Sequence, residues 1–220
     1  MADITEREHN IGLFDELVCR GGGTVQLVSG PNPHLVVVGP EELVDRVVIR
    51  YRGMRLVVAY RVGPNPIRLI QNISRQVRTI IVTDAVSRVA VQGAAALQLG
   101  ESPEHPFTTD SIRLVNSGNG FISGSVSAGT IAVRLRSIGG VDLDGDAGML
   151  DARISGIGSL DCSDLVCKKA RVTVSGVGSC RVMVLDDLTA TVNGVGQLSY
   201  RGTAHLTRRG ASTGRIEYLE

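Results

Sequence analysis

The chain has 220 residues, enough for one large domain or two small ones with a sizeable core. It is 43% hydrophobic and 20% charged, which excludes a disordered chain, and its formal charge of +1 excludes general attraction to nucleic acid or an anionic membrane. Only 3% of residues are aromatic and none is Trp, which argues against a surface that grips sugars or bases on stacked rings.

The first ten residues, "MADITEREHN", have neither the positive n-region nor the apolar h-region of a secretory signal. No apolar run reaches the roughly 20 residues that span a bilayer. Met1 and the final Leu219-Glu220 read as cloning remnants, so an export signal is expected to have been cut away. Next come four β-type runs, "TVQLVSG", "HLVVVG", "VDRVVIRY" and "MRLVVAYR", divided by "GPNP", "GPEE" and "YRG" turns. Segments 43–51 and 54–61, around Arg52-Gly53, predict a β-hairpin. Residues 66–78 fit a short helix and a strand equally. Residues 11–82 together read as antiparallel sheet that runs on into the rest of the chain and caps it.

From residue 83 a repeat takes over. Val89, Val91, Gly93, Leu97 and Leu99 make a first weak copy, followed by an insertion, "ESPEHPFTTD" (101–110), expected to protrude as a loop. Anchoring glycines then fall at Gly120, Gly139, Gly158, Gly178, Gly196 and Gly214, spaced by 19, 19, 20, 18 and 18 residues. Two residues after each anchor stand Ile122, Val141, Leu160, Cys180, Leu198 and Ile216; one further on stand the polar Ser123, Asp142, Asp161, Arg181, Ser199 and Glu217. Six residues before each anchor stand Leu114, Val133, Ala152, Val172, Ala190 and Arg208; four before stand Asn116, Leu135, Ile154, Val174, Val192 and Gly210. Alternation on both sides of a glycine corner predicts two strands per repeat, each with one buried face. The inward columns fail only at the ends, at Asn116, Arg208 and Gly210, as terminal repeats do. Stacking such units predicts an all-β fold, a right-handed parallel β-helix or solenoid of 18–20 residues per coil over 83–218, with 11–82 as its β-sheet cap.

Repeated corners followed by short alternating strands, as in Ser155-Gly156-Ile157-Gly158, Ser175-Gly176-Val177-Gly178 and Asn193-Gly194-Val195-Gly196, resemble the bacterial autotransporter adhesin head GIN domain family. The resemblance covers roughly residues 11–218, with departures at Ser137-Ile138-Gly139-Gly140 and Ala211-Ser212-Thr213-Gly214. It implies a right-handed parallel β-helix, similar in outline to pectin lyases without a shared catalytic set, and export to the periplasm or cell surface.

Taken alone, the "GxG" stretches invite a phosphate-loop reading. A dinucleotide fingerprint needs a third glycine and a following helix, whereas Asp161 and Arg181 occupy that third place and β-alternation follows. Gly156, Gly158, Gly176, Gly178, Gly194 and Gly196 are therefore structural corners, serving through positive φ or close backbone approach. The run Asp142, Asp144, Asp146 fails the EF-hand template, having Gly145 at its fourth place and Arg153 at its twelfth. It reads as a solvated corner, the alternative being a weak Ca²⁺ site. No cofactor, metal or catalytic set is expected. Two outward columns are candidate binding surfaces: Arg134, Arg153, Thr173 and Thr191, joined by Arg209, and Asp142, Asp161 and Arg181. The first suits an anionic glycan or a partner's sheet edge, although β-propensity alone selects threonine there. The second stacks two carboxylates beside a guanidinium, which leaves polysaccharide cleavage or binding as the alternative function. Cys162 and Cys180 lie diagonally in neighbouring coils, as packed thiols or, in an oxidising compartment, a disulfide. The expectation is a non-catalytic exported scaffold that binds a surface glycan or protein, with homo-oligomers left open.

Overall fold

In the computed structural model, which describes residues 4–61, 73, 76–136, 138–209 and 214–220, alternation sets the local template at the N-terminal end. Leu17, Cys19, Val25 and Leu27 point inward on either side of Gly21-Gly22-Gly23, all fully buried. Gly21 and Gly23 turn the corner at φ of +91° and +101°, a region that favours glycine. The described N-terminal elements are β1 (Ile4–Asn10), β2 (Glu16–Gly21), β3 (Thr24–Val28), β4 (His34–Pro40), the single-turn helix α1 (Glu41–Val44), β5 (Val47–Arg52), β6 (Arg55–Tyr60), β7 (Arg78–Val82), β8 (Arg88–Gly93) and β9 (Ala96–Leu99).

This half mixes the two kinds of pairing, so the antiparallel sheet expected from its turns is only part of it. β2 lies between β6 and β8, and β3 between β7 and β9, all four pairings parallel. Antiparallel pairing is confined to β1 with β4, β4 with β7, and β5 with β6. The parallel pairs align the inward face: Leu17, Leu56 and Val89 share one line and Val25, Thr79 and Leu97 another, all of them buried. The expected hairpin is present, with Gly53 at φ +62°, but its first strand starts at Val47 because 41–44 close a helical turn. Most of the ambiguous 66–78 segment lies outside the described residues; within it, Val77 N–H donates to Ile73 O at 2.9 Å and Arg78 opens β7.

The repeats follow as β10 (Phe107–Asn116), β11 (Phe121–Leu135), β12 (Gly140–Ile154), β13 (Ser159–Val174), β14 (Ser179–Val192), β15 (Gln197–Arg201), β16 (His205–Arg208) and β17 (Arg215–Tyr218). β8 and β9 stack on β10 and β11, and each long strand then pairs in parallel with the next. β15 and β16 pair with β14, and β17 with β15. The register reproduces the columns expected from the sequence: Ile122, Val141, Leu160, Cys180, Leu198 and Ile216 stand opposite one another in turn. So do Leu114, Val133, Ala152, Val172, Ala190 and Arg208. Burial is complete until the final members, Ile216 and Arg208, whose coil has a neighbour on one side only. The 17 described strands form one curled sheet, bent where Gly124 and Gly145 take φ of +122° and +109° and where the register shifts after Asp142 and Cys162.

Two other expectations change. Asn116 occupies its inward column fully buried, with Nδ2 donating to Gly120 O at 2.8 Å and Oδ1 accepting from Gly118 N–H at 3.3 Å, so a polar residue completes the corner. The 101–110 insertion is a turn only through its first part. Phe107, Thr108 and Thr109 pair with Val126, Ser127 and Ala128, and the Phe107 ring is buried in the core.

Candidate functional site

Three surfaces compete, each set by position on the stacked strands. In the acidic column, Asp142 stands opposite Asp161 and Asp161 opposite Arg181, as the spacing predicts. Asp161 Oδ1 accepts from the Ser163 hydroxyl at 2.7 Å and its amide at 3.1 Å, while Oδ2 accepts from Arg181 Nη1 at 3.0 Å. Partial burial opposes ionisation, but these bonds and the guanidinium together hold the Asp161 carboxyl below its ordinary value. Asp142 moves the other way: partial burial and then the nearby Asp161, Asp144 and Asp164 push it up. Among the described residues no cluster has the geometry to hold a metal ion. Asp161 has its acceptors occupied by structural donors, so the column behaves as an electrostatic ladder.

The signs give a measurable consequence. Asp161 contributes stability above its unfolded value, lost as pH falls through its depressed folded value. Asp142, raised on folding, is most favourable at low pH and costs stability once it ionises. Asp142→Asn is therefore expected to stabilise the chain at neutral pH, by less than about 0.5 kcal/mol because the site is largely solvent-screened. Chemical denaturation at low and high salt checks it, the gain shrinking with salt; a loss at neutral pH would contradict the assignment.

In the second column, Arg134, Arg153, Thr173 and Thr191 do stand opposite one another. Arg134 is not free for a ligand. Its Nη2 pairs with Asp151 Oδ2 at 2.7 Å, and Nη1 donates to the carbonyls of Asp151 at 2.9 Å and Val133 at 3.0 Å. Arg153 Nε lies 3.7 Å from the other Asp151 oxygen and stays exposed. This stripe presents one open guanidinium beside half-buried threonines.

The third surface lies along the corners. Of the six corner glycines named from sequence, only Gly194 has a positive φ, +109°. Four of the others are explained by packing: a Cβ on Gly158 would strike Gly139 O and the Leu135 side chain, and on Gly178 would sit 2.5 Å from Gly158 O. A Cβ on Gly176 would meet Gly156 O, and on Gly196 would lie 2.5 Å from Val174 Cγ1. From Gly139 to Gly214 each anchoring glycine thus rests on the carbonyl of the anchor one repeat before, and Gly120 on that of Ala95. The residue just before each of the four anchors from Gly139 to Gly196 is turned outward: Ile138, Ile157, Val177 and Val195 are 67%, 64%, 61% and 83% exposed. They line an open groove of about 540 Å³ floored by Gly120, Gly139, Gly158 and Gly178. Sequence reading missed this ridge, although its signal was present in four successive corners carrying aliphatic residues where turns are ordinarily polar.

The four cysteines are buried free thiols, with burial pushing Cys19 and Cys167 up to about 12. Cys162 and Cys180 are raised too, by burial first, which suits packing more than reactivity.

No curated protein matches the chain. A "putative adhesin" of Bacteroides fragilis is similar in structure, 17% identical with a TM-score of 0.83 over 100% of this chain and 98% of that one. A "putative adhesin" of Parabacteroides distasonis is 17% identical, with a TM-score of 0.73 over 99% and 98% of the two chains. A "putative lipid binding protein" of the same organism is 16% identical, with a TM-score of 0.63 over 99% and 97%. At such identities the likeness is one of fold. The family model described as "Putative auto-transporter adhesin, head GIN domain" matches residues 13–204, most of the chain, and the protein belongs to that family.

Proposed function

We propose that the chain is a non-catalytic exported scaffold for adhesion at the cell surface or in the envelope, a right-handed parallel β-solenoid over 83–218 capped by 11–82. The observation that carries this reading is the ridge of Ile138, Ile157, Val177 and Val195, an unbroken aliphatic line held outward above a glycine floor. Exposed apolar lines of this kind mark contact surfaces, because leaving them wet costs solubility. The adhesin description of the family supports the same direction. Arg153, Thr173 and Thr191, together with Asp142, Asp161 and Arg181, are the polar columns proposed to tune the contact with a surface protein or glycan.

The test immobilises the chain and measures retention of bacterial cells and solubilised envelope protein. Ile157→Asp with Val177→Asp should cut retention at least about tenfold, since central apolar contacts dominate such surfaces, while leaving the melting curve unchanged. Equal retention by variant and parent would sink the reading, as would release of unsaturated or reducing ends from acidic glycans by the parent chain.

A further inference from the structure

The outward face of β2, β5 and β6 holds a second feature. Alternation sends Val18 and Arg20, Arg55, Val57 and Ala59, and Val48, Arg50 and Arg52 to one side, with Val18 and Arg50 both opposite Val57 and Arg52 opposite Arg55. Outward residues are ordinarily wet, yet Val18 and Val57 are buried and form, with Ala90, a small apolar patch of their own. Beside it opens a cavity of about 210 Å³ rimmed by Arg20, Arg50, Arg52, Arg55 and Arg61.

These cations are far from neutralised. Arg55 Nε binds Glu16 at 2.7 Å, and Glu16 is shared with Arg88 at 3.3 Å. Arg20 Nε donates to the uncharged Gln92 at 2.8 Å. Among the described residues, the guanidiniums of Arg50, Arg52 and Arg61 have no partner. Like charges gathered over an apolar floor repel one another unless an anion joins them.

We propose that this cavity binds a phosphate-bearing ligand. A phosphate monoester carries close to two charges at neutral pH and presents several acceptor oxygens, so it can engage several guanidinium forks at once, where a carboxylate brings a single charge. The volume of about 210 Å³ admits a phosphate or diphosphate group. The ligand is a soluble phosphate monoester or a phospholipid headgroup that ends in one, which share this chemistry. The site is remote in sequence from the adhesive ridge and does not depend on that reading.

Inorganic pyrophosphate titrated into the full chain by calorimetry, at neutral pH and low salt, should bind at one site. Arg50→Gln with Arg52→Gln should weaken it roughly 10- to 100-fold, the loss expected when charged hydrogen bonds are removed. Arg113→Gln, an exposed arginine on β10 that does not rim the cavity, should leave it unchanged. Co-sedimentation with phosphatidic acid vesicles, whose headgroup is a phosphate monoester, against phosphatidylcholine alone, separates the sources. Vesicle binding lost in the double variant assigns a headgroup; pyrophosphate binding without it assigns a soluble ester. No binding of either, retained affinity in the double variant, or an equal loss in Arg113→Gln overturns the proposal.

Discussion

Gly158→Val is expected to lower the melting temperature by roughly 6–12 °C, from about 3 kcal/mol of overpacking in a chain of this size. The backbone of Gly158 has no positive φ, so the cost does not come from its own conformation. It comes from the preceding repeat: the added Cβ would meet Gly139 O and lie 2.7 Å from Leu135 Cδ2 and 3.1 Å from its Cγ, and neither backbone nor core has room to retreat. Because Gly178 rests on Gly158 in the same way, separating one pair strains the next, and stability in stacked repeats is a sum of such interfaces. Gly12→Ala is the control, since a Cβ there meets nothing within 4 Å. Thermal unfolding followed by circular dichroism decides: equal shifts for the two variants would remove the carbonyl ladder as a source of stability.

Phe107→Ala is expected to cost about 3–5 kcal/mol, the range for a fully buried aromatic. Phe107 is completely buried whereas Phe121 is 45% exposed, so Phe121→Ala should cost about 1 kcal/mol or less. The comparison is sharp because the sequence around Phe107, with Pro103, His105 and Pro106 before it, reads as a loop. Urea unfolding of both variants measures the difference. A Phe107→Ala cost no larger than that of Phe121→Ala would mean that 107–109 do not stack on 126–128.

The columns from Leu114 to Leu198 were legible because one rule, alternation around a glycine corner, recurs at nearly constant spacing. The same rule describes β2 and β3: Leu17 and Cys19 stand opposite Val89 and Val91, and Val25 and Leu27 opposite Leu97 and Leu99. It went unread because the next coil in space lies far along the chain, so periodicity gave no cue. Phe107 was hidden by the prolines beside it, whose turn signal is real but stops at Pro106, whereas the expected loop ran on through residue 110. The polar columns were placed correctly, yet sequence cannot show that Arg134 is held by Asp151 or Asp161 by Ser163, since those bonds depend on side-chain reach across coils. The arginine-rimmed cavity was invisible for a different reason. Arg20 and Arg50 meet only because β2 and β5 flank β6, an order that local pattern does not encode.

That order has a consequence for how the molecule assembles. In the C-terminal half each strand finds its partner about 19 residues back, as Ile122 and Val141 do, so pairing can advance coil by coil as chain becomes available. β2 has no such neighbour: Glu16 must wait for Arg55 and then for Arg88, 39 and 72 residues away. Closing the longer loop costs about 1 kcal/mol more than closing a 19-residue one, and the gain arrives only when both flanks are present. The N-terminal end is thus the part synthesised first and completed late, and during that interval its apolar edges stand open to whatever handles the unfolded chain.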